Sequence, residues 1–171
     1  VQNQLKPPLL FLILTLITCG GQGKTGPTNQ PDTISAFGII LTEESPPRDV
    51  ARLLIQALDN DDEQILTKLV AVKYEAQAIA RIRQQLAALG KKLTPEKIAV
   101  ITAAGWRGTY LSFTPGRTRI TGEIILGETA YVNIIATTIQ GKEQPNAIKM
   151  VREDNRWKIP AAGEWLPHHK D

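Results

Sequence analysis

The chain has 171 residues, 42% of them hydrophobic and 22% charged, which is the composition of a folded domain with enough apolar mass for one core. A formal net charge of +3 is too small to point to nucleic acid, and a lone cysteine excludes an intramolecular disulfide. His168 and His169 stand side by side in the C-terminal tail and no Cys/His cluster has zinc-ligand spacing, so neither a metal nor a cofactor is expected.

The apolar run Leu9 to Ile17 follows Lys6 and ends at Thr18-Cys19-Gly20-Gly21. A membrane-crossing helix needs ~20 apolar residues, so this shorter run reads as the hydrophobic region of a secretory signal. Leu16-Ile17-Thr18-Cys19 resembles a bacterial lipobox. The resemblance implies a signal peptide over residues 1–18 and an acyl anchor, such as palmitate, on Cys19 as the first mature residue. In a Gram-negative cell, Gly20 rather than aspartate after that cysteine implies the outer membrane. Residues 19–45 then hold the anchor, a flexible tether of Gly, Thr, Asn, Gln and Pro from Gly20 to Thr33, and the apolar stretch Ile34 to Leu41 as an extra strand or a cover for the domain.

From residue 46 the pattern becomes helical. Ser45-Pro46-Pro47-Arg48-Asp49 opens a helix that carries Val50, Leu53, Leu54, Ala57 and Leu58 at helical spacing. Asn60 with Glu63 resembles a capping box for a second short helix bearing Ile65, Leu66, Leu69 and Val70. A third run, Val72 to Leu89, places Ile79, Ile82, Leu86 and Leu89 on one stripe, with Gly90 suited to the C′ position. Thr94-Pro95-Glu96 opens a fourth helix with Ile98, Ile101 and Val100 inward, weakened at its far end by Gly105 and Gly108.

After the helices come alternating runs: Arg119 to Leu126, Ala130 to Gln140, Ala147 to Glu153 and Trp157 to Ile159. Gly127-Glu128, Gln140-Gly141-Lys142 and Asp154-Asn155 supply turn chemistry between them, so an antiparallel meander of about four strands is expected. Helices followed by a meander make an α+β fold over residues 46–167, with 168–171 as a tail.

Pro47-Arg48-Asp49-Val50-Ala51 through Leu58-Asp59-Asn60-Asp61 resembles the first helix of nuclear-transport-factor-2-like (cystatin-like α+β) domains of small bacterial lipoproteins. Gly127-Glu128-Thr129-Ala130-Tyr131-Val132 resembles their inner strand, and Met150 through Ile159 their closing hairpin. The resemblance implies helices packed on a strongly curved, cone-shaped sheet, frequent homodimers through the outer sheet face, and no single function.

Function follows less directly than fold. If a pocket lies between sheet and helices, Trp106, Tyr110, Tyr131, Asn133 and Trp157 are its candidate wall, against the alternative that the tryptophans simply fill the core. Asp49 or Glu123 could be nominated as a base beside Tyr74, Tyr110 or Tyr131, but no spacing singles one out, and no Gly-x-Ser-x-Gly elbow is present. Consecutive Ile124-Ile125-Leu126 and Ile134-Ile135-Ala136 put apolar side chains on both sheet faces. The second face would then need Ile34 to Leu41, the Trp165-Leu166 tail or a second subunit to cover it. Charge is uneven: from Lys68 to Arg119 ten basic residues face two acidic ones, whereas Glu43 to Glu63 holds seven acids against two arginines. A basic patch of that kind could meet anionic lipid headgroups or cell-wall polymer, or could simply be solvated helix faces. The expected function is therefore that of a lipid-anchored envelope protein with a non-enzymatic domain binding a small apolar or amphipathic ligand, or a partner protein. The alternatives are an isomerase- or dehydratase-type enzyme with acid and base inside the cone, and a structural dimerising adaptor.

Overall fold

The computed structural model describes residues 33–74, 77–161 and 165–167. The signal segment, Cys19, the tether before Thr33 and the tail from His168 lie outside the described residues. The unit from Pro31 to Asp171 holds its own core, since every member of its cluster of buried apolar residues falls between Leu41 and Ala161.

A short hairpin comes first, β1 (Ile34–Ala36) with β2 (Ile39–Leu41), which is the form the apolar stretch Ile34 to Leu41 takes. Ile34, Ala36, Ile39 and Leu41 pack on the core, leaving Ser35 and Ile40 on the other face. Four helices follow: α1 (Pro47–Asp59), α2 (Glu63–Lys68), α3 (Gln77–Ala88) and α4 (Pro95–Tyr110). α1 buries Val50, Leu53, Leu54, Ala57 and Leu58, as its spacing predicts, and Ala51 and Ile55 with them. The cap of α2 differs from expectation: Asp62 accepts from the Ile65 N–H at 3.0 Å, while Asn60 closes α1. α4 runs through Gly105 and Gly108 to Tyr110, because burial of Ala103, Trp106 and Tyr110 outweighs the ~1 kcal/mol each glycine takes from a helix. Its buried face is Ile98, Ala99, Thr102, Ala103, Trp106 and Tyr110, with Ile101 and Val100 only half buried.

The third helix begins later than its apolar stripe implies. The second helix ends early, at Lys68 with Leu69 as its C-cap, and Val70, expected on it, instead joins Ala71 in β3, a two-residue strand parallel to the closing strand of the sheet, pairing Val70 with Ile159. At the other end Gly90 takes φ +67°, its N–H reaches the Ala87 carbonyl at 3.0 Å, and the Lys91 N–H reaches Leu86 at 2.9 Å. That is the Schellman closure that a glycine at C′ permits.

The meander consists of β4 (Phe113–Leu126), β5 (Thr129–Thr138), β6 (Glu143–Glu153) and β7 (Arg156–Pro160), with β8 (Trp165–Pro167) pairing β6 beyond the end of β7. The order across the sheet is β3-β7-β6-β5-β4, antiparallel except for β3 with β7. The expected four strands thus gain two short ones, whose two and three residues are too few to show an alternation. Register shifts in β4 between Phe113 and Thr118 and between Ile120 and Gly122 bend the sheet around the helices. Asp154 and Asn155 take φ +52° and +61°, so Asn155 fills a left-handed turn position usually given to glycine.

Ala130, Val132, Ile134 and Ala136 of β5 alternate onto one face, opposite Met150, Ile148, Asn146 and Gln144 of β6. Apart from Gln144, each of these side chains is buried, and the apolar ones join Leu53, Leu54, Ala57 and Trp106 in one cluster. This is the inner face of the sheet.

Candidate functional site

The five candidate wall residues divide between two sides of the sheet. Trp106 and Tyr110 on α4 are 1% and 4% exposed and belong to the core cluster, as does Trp157 on β7. Tyr131 and Asn133 alternate with Val132 and Ile134, so they lie on the outer face, where Asn133 pairs across with Ala147 and Tyr131 with Lys149. Trp157 also meets the outside, because the Arg152 guanidinium sits 5.3 Å from its ring. Trp106 and Tyr110 can therefore line an interior together, and Tyr131 and Asn133 cannot join them without crossing the sheet.

The space between helices and sheet is occupied by large side chains. Trp106, Leu53, Leu54, Ile134, Ile148 and Met150 are all under 2% exposed and pack as one body. Within that body the Thr102 hydroxyl is buried with no hydrogen-bond partner among the described residues.

At one end of α4 a polar cluster joins three elements. The Tyr110 hydroxyl donates to Asp59, the last residue of α1, and lies 3.4 Å from the Thr118 hydroxyl on β4. Asp59 also accepts from the Gly116 N–H at 2.9 Å. Burial, and then the bond to Asp59, push the Tyr110 phenol well above its ordinary range, so it stays a neutral donor. A carboxylate holding a neutral tyrosine is a pairing that acid–base chemistry can use, but here Asp59 is occupied by both donors and fastens α1, α4 and β4 together. Nearby, Arg107 grips Asp61 at 2.6 Å and Glu63 at 2.9 Å, tying α4 to the α1–α2 corner.

The acids that composition offered as bases have structural partners. Glu123 on β4 accepts from the Arg48 N–H at 3.0 Å and lies 3.6 Å from its guanidinium, so it caps an α1 N-terminus whose own N-cap is a proline. Asp49 pairs with Arg52 at 3.1 Å. Among the tyrosines, Tyr74 is surface-exposed against Lys149, with 3.2 Å between hydroxyl and ammonium.

Two acids escaped the sequence reading. Asp59 carried no signal beyond its place at a helix end. Glu153, 7% exposed, accepts from the N–H groups of Val72 at 3.2 Å and Lys73 at 2.7 Å and from the Lys158 ammonium at 3.2 Å. It holds the segment after β3 onto the sheet, a role that depends on contacts about eighty residues apart in sequence.

The surface offers a further candidate. The β1–β2 turn is Phe37-Gly38, with φ +51° and +74°, which is the two-residue turn that prefers Asn-Gly. Phe37 is 41% exposed and Ile40 63% exposed. A left-handed residue bearing a bulky side chain costs about 1–2 kcal/mol, and this phenylalanine still leaves 41% of its surface exposed.

No family model and no curated protein matches this chain. Among solved structures it is similar to a crystal structure from Campylobacter jejuni described, provisionally, as an NTF2-like transpeptidase, with 11% identity and a TM-score of 0.43, covering 68% of this chain and 98% of that one. Helices first, then a curved and mainly antiparallel sheet folded over them, is the α+β arrangement expected from the sequence.

Proposed function

We propose that the chain is a cell-envelope lipoprotein, anchored at Cys19, whose domain works by binding a partner protein at the β1–β2 hairpin. The observation that carries this reading is Phe37, an exposed aromatic held in a strained turn with the exposed Ile40 three residues away. The side chains packed between α4 and the sheet support a surface contact over an interior ligand. The address rests on the Leu9 to Ile17 run and the Leu16-Ile17-Thr18-Cys19 motif.

Two substitutions separate contact from stability. Phe37→Asn relieves the left-handed strain and is expected to raise stability by about 1 kcal/mol. The same change removes an aromatic from the contact. A photo-crosslinking side chain at Ile40 should give one defined adduct in intact envelopes, lost when Phe37→Asn is added. An adduct that survives Phe37→Asn, or that forms equally from Lys142, would overturn docking at the hairpin. For the anchor, Cys19→Ser should abolish labelling by a fatty-acid probe, and persistent labelling would remove the lipoprotein reading.

A second reading is favoured by the Asp59–Tyr110 pair: an isomerase- or dehydratase-type enzyme using that carboxylate and phenol. Native mass spectrometry of residues 20–171 discriminates the two. A small molecule carried by the wild type and lost in Tyr110→Phe would support the enzyme, and a bare protein that crosslinks through Ile40 would support the binding module.

A further inference from the structure

On the outer face of the sheet one ammonium is drawn partly out of water without an acid to balance it. Lys149 on β6 is half-buried, and its polar contacts among the described residues are with a phenol: its Nζ donates to the Tyr74 hydroxyl at 3.2 Å and lies 5.4 Å from the centre of the same ring. Arg107 and Lys158, also half-buried, are each held by carboxylates, Arg107 by Asp61 and Glu63 and Lys158 by Glu153. Exposed lysines such as Lys68 and Lys142 keep their water and need no such partner, whereas a half-buried one loses part of its solvation. The acids close by along the chain are already engaged: Glu153 by Val72, Lys73 and Lys158, and Asp154 by Lys73.

The fold builds this place from two directions. Tyr131 on β5 stands directly across from Lys149 on the same face, and Glu153, by fastening the N–H groups of Val72 and Lys73, fixes the segment that brings Tyr74 to the ammonium. An ammonium only donates, so the Tyr74 hydroxyl accepts from Lys149 and keeps its own proton. That proton and the remaining N–H groups of Lys149 find no acceptor among the described residues. Donors gathered beside an unbalanced positive charge fit an anion that accepts from both. A carboxylate matches it, with one charge against one and two oxygens to share between ammonium and phenol. A phosphate dianion matches it less well, because a single ammonium leaves part of its charge unmet. We propose that Lys149 and Tyr74, beside Tyr131, form a binding site on the outer sheet face for the carboxylate of a small acid or of a peptide C-terminus.

The site shares no residue with the β1–β2 hairpin or with Cys19, so it stands or falls apart from both. The chain from Gly20 onward keeps every residue of the core cluster and serves for the test. Titrated with sodium acetate and with N-acetyl-alanyl-alanine at constant ionic strength, it should show saturable amide NMR shifts centred on Tyr74, Tyr131 and Lys149, in the millimolar range that a few hydrogen bonds support. The same dipeptide with its C-terminus amidated should give none. Tighter binding of the dipeptide than of acetate would assign the site to peptide C-termini, and equal binding would assign it to small acids. Lys149→Gln should abolish saturation, and Tyr74→Phe should weaken binding about tenfold by removing one hydrogen bond to a charged group. Lys142→Gln, exposed at the start of the β6 hairpin, should change nothing. Absence of saturation with both acids, equal shifts from the amide, an unaffected Lys149→Gln variant, or tighter binding of inorganic phosphate than of either acid would each overturn the proposal. So would binding that appears only in Glu75→Gln or Glu164→Gln, since an acid of this chain would then be the occupant.

Discussion

Tyr110 shows how one side chain can serve a fold and resemble a catalyst. Its phenol is raised above the ordinary value near 10 by burial and by Asp59. A folded-state value above the unfolded one means that the stabilisation is complete below about pH 10 and is lost as pH rises through the folded value. Tyr110→Phe should cost about 2 kcal/mol at neutral pH, since it removes a hydrogen bond to a carboxylate. The gap in urea midpoint between wild type and variant should then narrow above about pH 10. A gap that stays constant into strong alkali would mean that Asp59 and Tyr110 do not hold each other in solution. At the opposite turn, the Lys73–Asp154 pair lies at the surface. Their bond raises the lysine and lowers the aspartate, so its contribution is present between the usual aspartate and lysine values and fades both as pH falls through the lowered aspartate and as it rises through the raised lysine.

Elements in this protein are finished by residues far away in sequence. α1 begins Pro46-Pro47, which sets the backbone for a helix but supplies no side-chain oxygen for its first N–H groups. Glu123 provides one from β4, with its charge near the positive end of the helix dipole. Glu123→Ala should therefore destabilise by about 1 kcal/mol, and Glu123→Gln by less, because an amide oxygen still accepts from Arg48. Chemical denaturation of both variants measures this, and equal losses would show that charge rather than the cap is what matters. The same logic explains the boundaries that the sequence misplaced. Val70 reads as the end of the second helix and Val72 as the start of the third until the edge of β7 is available to pair with Val70–Ala71, and Glu153 then accepts the N–H groups of Val72 and Lys73.

At the scale of the whole domain, the helices and the inner sheet face share one packed interior centred on Trp106. Trp106→Ala should cost about 3–5 kcal/mol and lower the denaturation midpoint in a single transition. A loss under about 1 kcal/mol would reveal an interior loose enough to admit a ligand, and would return weight to an interior binding site. On the outer face Tyr131 and Lys149 are half-buried while Asn133, Ala147 and Val151 are buried, and β8 extends the sheet alongside β6.

What the sequence determined by itself was periodic and local. Alternation located β5 to β7, their turns and β4 from Arg119 on, helical spacing placed α1 and Ile79 of α3 while Leu89 of the same stripe is exposed, and Gly90 and Asn155 could be placed because their backbone conformations demand particular residues. Helices before strands fixed the α+β class. Tertiary structure alone decided which aromatic residues share a space, since Tyr110 and Tyr131 look equivalent in sequence but stand on opposite sides of a sheet. It also decided that Asp59, Glu123 and Glu153 are fasteners, because a carboxylate takes its role from the donors brought to it, and those donors come from elements dozens of residues away. Strands too short to show a period, and acids whose partners are distant, carry no local signal, so only the folded chain reveals them.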